Sequence, residues 1–185
     1  NDMKYRKAFL SGLFAAEGHV KHSTHNTIES IIFAFNPKTE INLSEFTKRC
    51  LEKEGITCKI NKVKGYLYFN NYNKMLRFYL NGLLDLHKDK KEKFENLIKN
   101  AKFYLHFKEI FSINFNDTQK KLSKKFGLSQ ATFSKWKTGN SLNLKIAQKL
   151  FTNLDFIKYI DYISISNNKI KDKRIIDYII SVFLK

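Results

Sequence analysis

The stretch AFLSGLFAAEGHV, residues 8–20, contains the residues that decide how this chain folds. It is apolar and rich in small side chains, and Gly12 and Ala16 stand four residues apart, on one face of a helix. Two helices that present such small residues to each other can approach to backbone contact. The stretch therefore predicts a helix that packs against a second helix of the same kind, with Gly12 and Ala16 in the dimer contact.

A single acid, Glu17, ends this predicted helix, and Gly18 lets the chain turn sharply into the next element. A carboxylate at a helix C-terminus is unfavourable by roughly 0.3–1 kcal/mol, because that end of the helix attracts cations. Two Glu17 carboxylates brought together by paired helices also repel each other unless a divalent cation lies between them. We therefore expect a bound cation here; the alternative is a core helix that ends in a solvated acid.

Outward from this stretch, residues 1–100 alternate helical and strand patterns. The periodicity predicts helix 5–16, strands 19–24 and 28–35, helix 39–54, strands 57–62 and 66–70, and helices 74–84 and 90–100. The order αββαββα allows both hairpins to pair into one antiparallel sheet. Alternation along the strands predicts one polar face, a candidate DNA surface, made of His19, Lys21, Lys59, Asn61, Tyr66, Tyr68 and Asn70.

The composition indicates a polyanionic partner. The 185 residues include 34 Lys plus Arg against 17 Asp plus Glu, which gives a formal net charge of +17. A bias in amino-acid usage is the alternative explanation, but nucleic acid is the leading candidate for the partner. The sequence has no apolar run of about 18 residues, so we expect no membrane association and a cytoplasmic protein that joins the nucleoid when bound to DNA.

The nonapeptide Leu10–Gly18 and the order of elements over residues 3–100 resemble the LAGLIDADG homing endonucleases. The resemblance implies a saddle-shaped antiparallel sheet that lies on double-stranded DNA, with helices behind it. It also implies a Mg²⁺-dependent staggered cut, with Glu17 as the catalytic metal ligand and the backbone carbonyl of Ala16 as its companion. Such enzymes are typically encoded within introns or inteins.

The resemblance further implies a lysine shortly after the fourth strand. The segment HKDKKEKF, residues 87–94, offers Lys88, Lys90 and Lys91. Lys90 precedes Phe94 by four residues and matches the family's local spacing, so it is the candidate catalytic lysine; the alternative is an exposed charge at the start of a helix. One motif in the chain implies a homodimer, or pairing with a second LAGLIDADG motif in a longer product.

A second module begins at Thr118. The sequence TQKKLSKKFGLSQATFSKWKTGNS resembles the helix-turn-helix of Cro and phage-repressor type proteins, with Gly127 at the turn and Ser129 capping the second helix. Helices around 103–111, 144–154 and 173–184 are expected to complete an all-α domain over residues 101–185. The residues expected to contact DNA are Gln119, Gln130, Ala131, Thr132 and Lys135.

Taken together, these patterns predict an α+β chain with a LAGLIDADG domain, residues 1–100, and a helix-turn-helix domain, residues 101–185. The function they favour is a site-specific DNA endonuclease whose helix-turn-helix extends DNA recognition. One alternative is a cleavage-inactive transcription regulator of WhiA type, which joins the same two modules. Another is an RNA maturase. Glu17 and the nearby lysines favour cleavage, and the repressor-like helix pair favours duplex DNA.

Overall fold

A computed structural model describes residues 2–25, 27–107, 119–127, 129–131, 134, 141–150, 157 and 159–183 of the chain. The chain divides into two compact units, Asn1–Ala101 and Lys102–Lys185. Each unit has its own antiparallel sheet. In the described part of the chain, no helix is both long enough and apolar enough to span a membrane.

The first unit has the predicted order αββαββα, followed by the second of the two helices predicted after the last strand. Its elements are α1 (Asp2–Glu17), β1 (Gly18–His22), β2 (Ile28–Ala34), α2 (Ile41–Lys53), β3 (Lys59–Asn61), β4 (Tyr66–Phe69), α3 (Tyr72–Leu80) and α4 (Lys88–Asn100). Only the end of α3 departs by four residues from the prediction. It stops at Leu80 because Gly82, with a φ of 76°, leaves the helical conformation.

The four strands form one antiparallel sheet in the order β1-β2-β4-β3, so the second strand of each hairpin lies at the centre. The pairing of β1 with β2 slips by one residue between Lys21 and His22. A slip of this kind is a β-bulge, which bends the strand and changes which residues face the core. Here it lets Ile28, opposite His22, lie buried.

Aromatic rings hold α1 against this sheet. Phe14 of α1 lies 5.4 Å from Phe33 of β2 and 5.1 Å from Phe78 of α3, measured between ring centroids. The Phe33 and Phe78 rings are 5.8 Å apart, and all three contacts are edge-to-face. Such pairs add about 0.5–1.5 kcal/mol each to the free energy of burying the rings. This cluster is the centre of the core, and it sets the position of α1.

The second unit contains both helices and strands. Its elements in chain order are β5 (Tyr104–Phe107), α5 (Gln119–Phe126), β6 (Leu142–Asn143), α6 (Leu144–Leu150), β7 (Ile160–Ile165), β8 (Asn168–Ile170) and α7 (Lys173–Phe183). The strands form an antiparallel sheet in the order β6-β5-β7-β8. Here the first strand of each pair is central, so the topology does not repeat that of the first unit.

The all-α prediction for residues 101–185 is therefore wrong. Tyr104–Phe107 is a strand where a helix was expected, because buried Leu105 and exposed Tyr104 alternate and the strand pairs with both β6 and β7. Backbone pairing with distant strands outweighs the local helical pattern. A second missed strand, Ile160–Ile165, turns into β8 at Ser166, whose φ is 49°. The predicted helices at 144–154 and 173–184 are seen as α6 and α7.

Candidate active site and nucleic-acid surface

The C-terminal end of α1 places Glu17 at the junction of helix and sheet. Glu17 is the last residue of α1, and both it and Ala16 are exposed. Gly18 begins β1 at once, and a Cβ at this position would overlap the Phe14 ring and its backbone oxygen. Only glycine allows the chain to pass from helix to strand at this point without a shift of Phe14. The position of the acid therefore depends on Gly18 and on the aromatic core.

Lys90 of α4 binds the same end of α1. Its Nζ donates hydrogen bonds to the carbonyl oxygens of Ala15, at 2.7 Å, and of Phe14, at 3.0 Å. The ammonium also lies 5.4 Å from the centroid of the Phe14 ring. The last carbonyls of a helix have no intrahelical partners and carry partial negative charge, so a cation is favourable here. Lys90 thus ties α4 to the residues that precede Glu17.

The charges around this helix end influence one another. Burial lowers the pKa of Lys90, while the negative charge of Glu17 acts in the opposite direction. Burial also lowers the pKa of His19, and the positive charges of Lys93, Lys90 and His22 add to that effect. Sequence analysis did not single out Lys93, although it follows Lys90 by three residues and so lies on the same side of α4. Lys90 therefore interacts with both Glu17 and His19, and Lys93 and His22 add positive charge near His19.

The strand registers place the predicted polar residues on one face of the first sheet. One row across the four strands contains His19, Ile32, Tyr68 and Lys59, paired in that order. Side chains directly opposite on antiparallel strands point to the same face. Lys21 and the pair Tyr66 and Asn61 therefore share this outward face, and exposed Asn70 follows β4 directly.

Side chains on the outward face of the first sheet contact one another and leave polar atoms open to solvent. The Tyr66 and Tyr68 rings are 5.5 Å apart, and the Asn61 side-chain amide lies 3.5 Å from the Tyr66 hydroxyl. Lys21 forms an exposed ion pair with Glu29, with a distance of 2.7 Å from Nζ to Oε1. Exposed ion pairs contribute little to stability, about 0–1 kcal/mol, so a phosphate can replace this partner at small cost. The face can therefore contact a polyanion.

One side of α1 has small residues and is open to solvent. Tyr5, Ala8 and Ala16 are exposed, whereas Leu10 and Phe14 on the other side are fully buried. Apart from the backbone of α1 and the two neighbouring residues, no heavy atom of the described residues lies within 4 Å of the position that a Cβ on Gly12 would take. The packing of the described protomer therefore does not explain the glycine at position 12.

The predicted helix-turn-helix is only partly covered by the structure. Gln119 is the first residue of α5, and Gly127, with a φ of 64°, follows its last residue. Gln130 and Ala131 are helical and exposed. The remaining predicted contacts, Thr132 and Lys135, lie outside the described residues. The helix-turn-helix therefore stays a prediction.

Oxygen atoms suited to Mg²⁺ are present at the end of α1. Glu17 offers a carboxylate, and the carbonyl of Ala16 lies beyond the helical hydrogen-bond ladder. Carboxylate and carbonyl oxygens are the ligand types that Mg²⁺ binds. Over the described ranges, no group of three or more His, Cys, Asp and Glu side chains is arranged to hold a metal ion. Each chain thus supplies one acid at this position.

Comparison with known proteins identifies the first unit. Residues 4–110, more than half of the chain, match the family model described as a LAGLIDADG-like domain. The match runs from the first turn of α1 to just beyond β5. No curated protein and no solved structure matches the chain.

Gly12, within α1, and Gly18, directly after it, allow a paired stability measurement. Gly18→Ala is expected to lower the free energy of unfolding of the first unit by about 1–3 kcal/mol, because the methyl group overlaps Phe14. Gly12→Ala is expected to raise the free energy of unfolding by up to about 1 kcal/mol. Alanine is more favourable than glycine within a helix, and its methyl group meets open space here. Urea denaturation followed by circular dichroism measures both. An unchanged stability for Gly18→Ala would refute the close contact.

Proposed function

Because the chain belongs to the LAGLIDADG family, we propose that it is a site-specific DNA endonuclease that hydrolyses both strands of a duplex in a Mg²⁺-dependent, staggered cut. The observation that carries the proposal is the end of α1, where an exposed carboxylate adjoins a lysine held by helix carbonyls. An acid beside a half-buried cation is typical of sites that act on phosphate esters, and the charges of Glu17 and Lys90 interact here. The outward face of the first sheet begins at the next residues of the chain.

DNA lies on the outward face of the first sheet in this proposal. Lysine and histidine side chains contact phosphates, while asparagine and tyrosine side chains reach base edges or sugars. Phosphate contacts of this kind make binding weaken steeply as salt rises. The helix-turn-helix that follows in the chain binds the same duplex and extends the recognised site. Two linked modules gain affinity through their high effective concentration.

Glu17 and the Ala16 carbonyl are the residues that would hold Mg²⁺. The ion, when bound, polarises the scissile phosphate and makes a bound water more acidic. In the hydrolysis, the water oxygen forms a new bond to phosphorus, and the bond from phosphorus to the leaving oxygen breaks. Lys90 keeps the end of α1 in place through the Phe14 and Ala15 carbonyls, and its charge stabilises the negative charge that builds up on the phosphate oxygens.

A homodimer completes the site. Each chain carries one acid at the end of α1, and the described part of the second unit has a different strand order from the first. The open side of α1, with Gly12 at its centre, is shaped for close contact with a second α1. Such a contact brings two Glu17 residues to a two-fold axis. A symmetric dimer of this kind recognises an approximately palindromic target.

A second candidate is a DNA-binding regulator that does not cleave. The observation that favours it is again Lys90, which already supplies a cation at the end of α1 where Mg²⁺ is expected. In such a protein, the ammonium would maintain the helix end and the sheet would bind DNA without chemistry. A cutting assay on the unaltered chain separates the two candidates, and neutralising Glu17 tests its role in any cutting.

Glu17→Gln is expected to slow cutting by about a hundredfold or more, because the amide is a poor ligand for Mg²⁺ and lacks the charge. Duplex binding in the absence of metal is expected to persist. The assay incubates the purified chain and Mg²⁺ with the DNA that flanks its own gene and follows product ends on a gel. Glu45→Gln, which neutralises an acid on α2, is the control. Binding by the unaltered chain without any cutting would refute the nuclease and leave the regulator.

Gly12→Leu is expected to abolish dimer formation, because its side chain fills the space that a second α1 occupies. Light scattering with duplex DNA present should show two chains of 21.9 kDa per complex for the unaltered protein and one for the variant. Val63→Leu, at a position that is 89% exposed in the turn between β3 and β4, is the control. A single unaltered chain on the duplex would contradict the dimer.

A further inference from the structure

The second sheet has an outward face that has no role in the function proposed for the α1 motif and the helix-turn-helix. Strand pairing aligns one row of side chains across all four strands, and a second row lies beside it on the two central strands. The first row consists of Asn143, Tyr104, Ser164 and Lys169, and the second of His106 and Tyr162. We name these six residues the second-sheet face.

The opposite side of this sheet forms the core of the second unit. Leu142, Leu105, Ile163 and Ile170 alternate with the second-sheet face and are 0–1% exposed. The α7 helix contributes buried isoleucines to the same core, and its Phe183 ring lies 5.5 Å from the ring of Phe103. The second-sheet face lies on the other side of the sheet, where Lys169 and Tyr104 are exposed and the remaining four residues are half-buried.

The side chains of the second-sheet face contact one another. The His106 and Tyr162 rings stack at 4.1 Å and 11°, and His106 Nε2 lies 2.8 Å from Ser164 Oγ. The Lys169 ammonium lies 5.2 Å from the Tyr162 centroid. Because β7 lies between β5 and β8, His106 and Lys169 flank Tyr162 from opposite sides. The Tyr162 ring is therefore covered on one side by the His106 ring and on the other by the Lys169 ammonium.

This chemistry matches that of the outward face of the first sheet. Each face combines one histidine, two tyrosines, an asparagine and at least one exposed lysine. The second unit is also basic in composition, since residues 102–185 include 16 Lys plus Arg against six Asp plus Glu. Positive charge of this density attracts a polyanion. A partner with phosphates on its surface is therefore complementary to the second-sheet face.

We propose that the second-sheet face is a further binding surface for duplex DNA. Recognition of single strands depends on bases that stack on open aromatic faces, and here His106 and Lys169 already cover Tyr162. Duplex DNA instead offers phosphates and base edges to lysine, asparagine, serine and tyrosine side chains. The proposal adds a surface to the DNA recognition proposed above, and it does not depend on cleavage.

The test measures binding of the full chain to a labelled duplex of mixed sequence by fluorescence anisotropy, without Mg²⁺. Lys169→Glu is expected to weaken binding about tenfold at about 0.2 M salt and to reduce the slope of log affinity against log salt by about one. Lys173→Glu makes the same change of charge at the first residue of α7, outside the second-sheet face, and is expected to bind as the unaltered chain does. Lys169→Arg keeps the charge and is expected to keep the affinity.

Three results would overturn the proposal. Equal affinities for Lys169→Glu and Lys173→Glu would show that only the total charge matters. A greater loss of binding to the matching single strand than to the duplex would assign the surface to another ligand. A loss of affinity in Lys169→Arg would also count against a phosphate contact. Circular dichroism checks that each variant is folded. Because no cutting is measured, the comparison remains informative even if the unaltered chain proves to have no nuclease activity.

Discussion

The packing of Phe14 is the constraint on which the rest of the first unit depends. Its ring lies among those of Phe33 and Phe78, its backbone oxygen accepts a hydrogen bond from Lys90, and both leave no space for a side chain at Gly18. The core, the lysine and the junction from helix to strand thus meet at one residue. A change in any of them moves the end of α1, and with it Glu17. The stability of the first unit and the position of Glu17 are therefore coupled.

This coupling explains why the sequence predicted some features of the site and missed others. Helix α1, its acid and the polar strand face follow from local periodicity, which reports on nearby residues. The family's spacing predicted Lys90. Its hydrogen bonds, however, reach the carbonyls of Phe14 and Ala15, which lie 76 and 75 positions away in the sequence. Contacts of that range depend on how α4 docks on the sheet. Lys93 was missed because only its position beside His19 makes it notable.

The second unit shows the same limit more strongly. Its helices α6 and α7 were expected, but its strands are short, from two to six residues, and β5 pairs with segments far along the chain. Short strands have weak local signals and gain their stability from distant partners. The alternation of buried and exposed residues in Tyr104–Phe107 and Ile160–Ile165 was the available signal. The resulting sheet gives the chain a second outer face rich in polar and aromatic side chains.

In the proposed nuclease, two Glu17 carboxylates meet at a dimer axis and bind metal together with DNA. Crystals of the chain on a duplex that it binds, grown with Mn²⁺ in place of Mg²⁺, test this arrangement directly through anomalous scattering. We expect a manganese peak within about 2.0–2.3 Å of a Glu17 oxygen from each chain or of a phosphate between them. A well-ordered complex in which the two Glu17 side chains lie far apart, with no manganese peak near either, would contradict it.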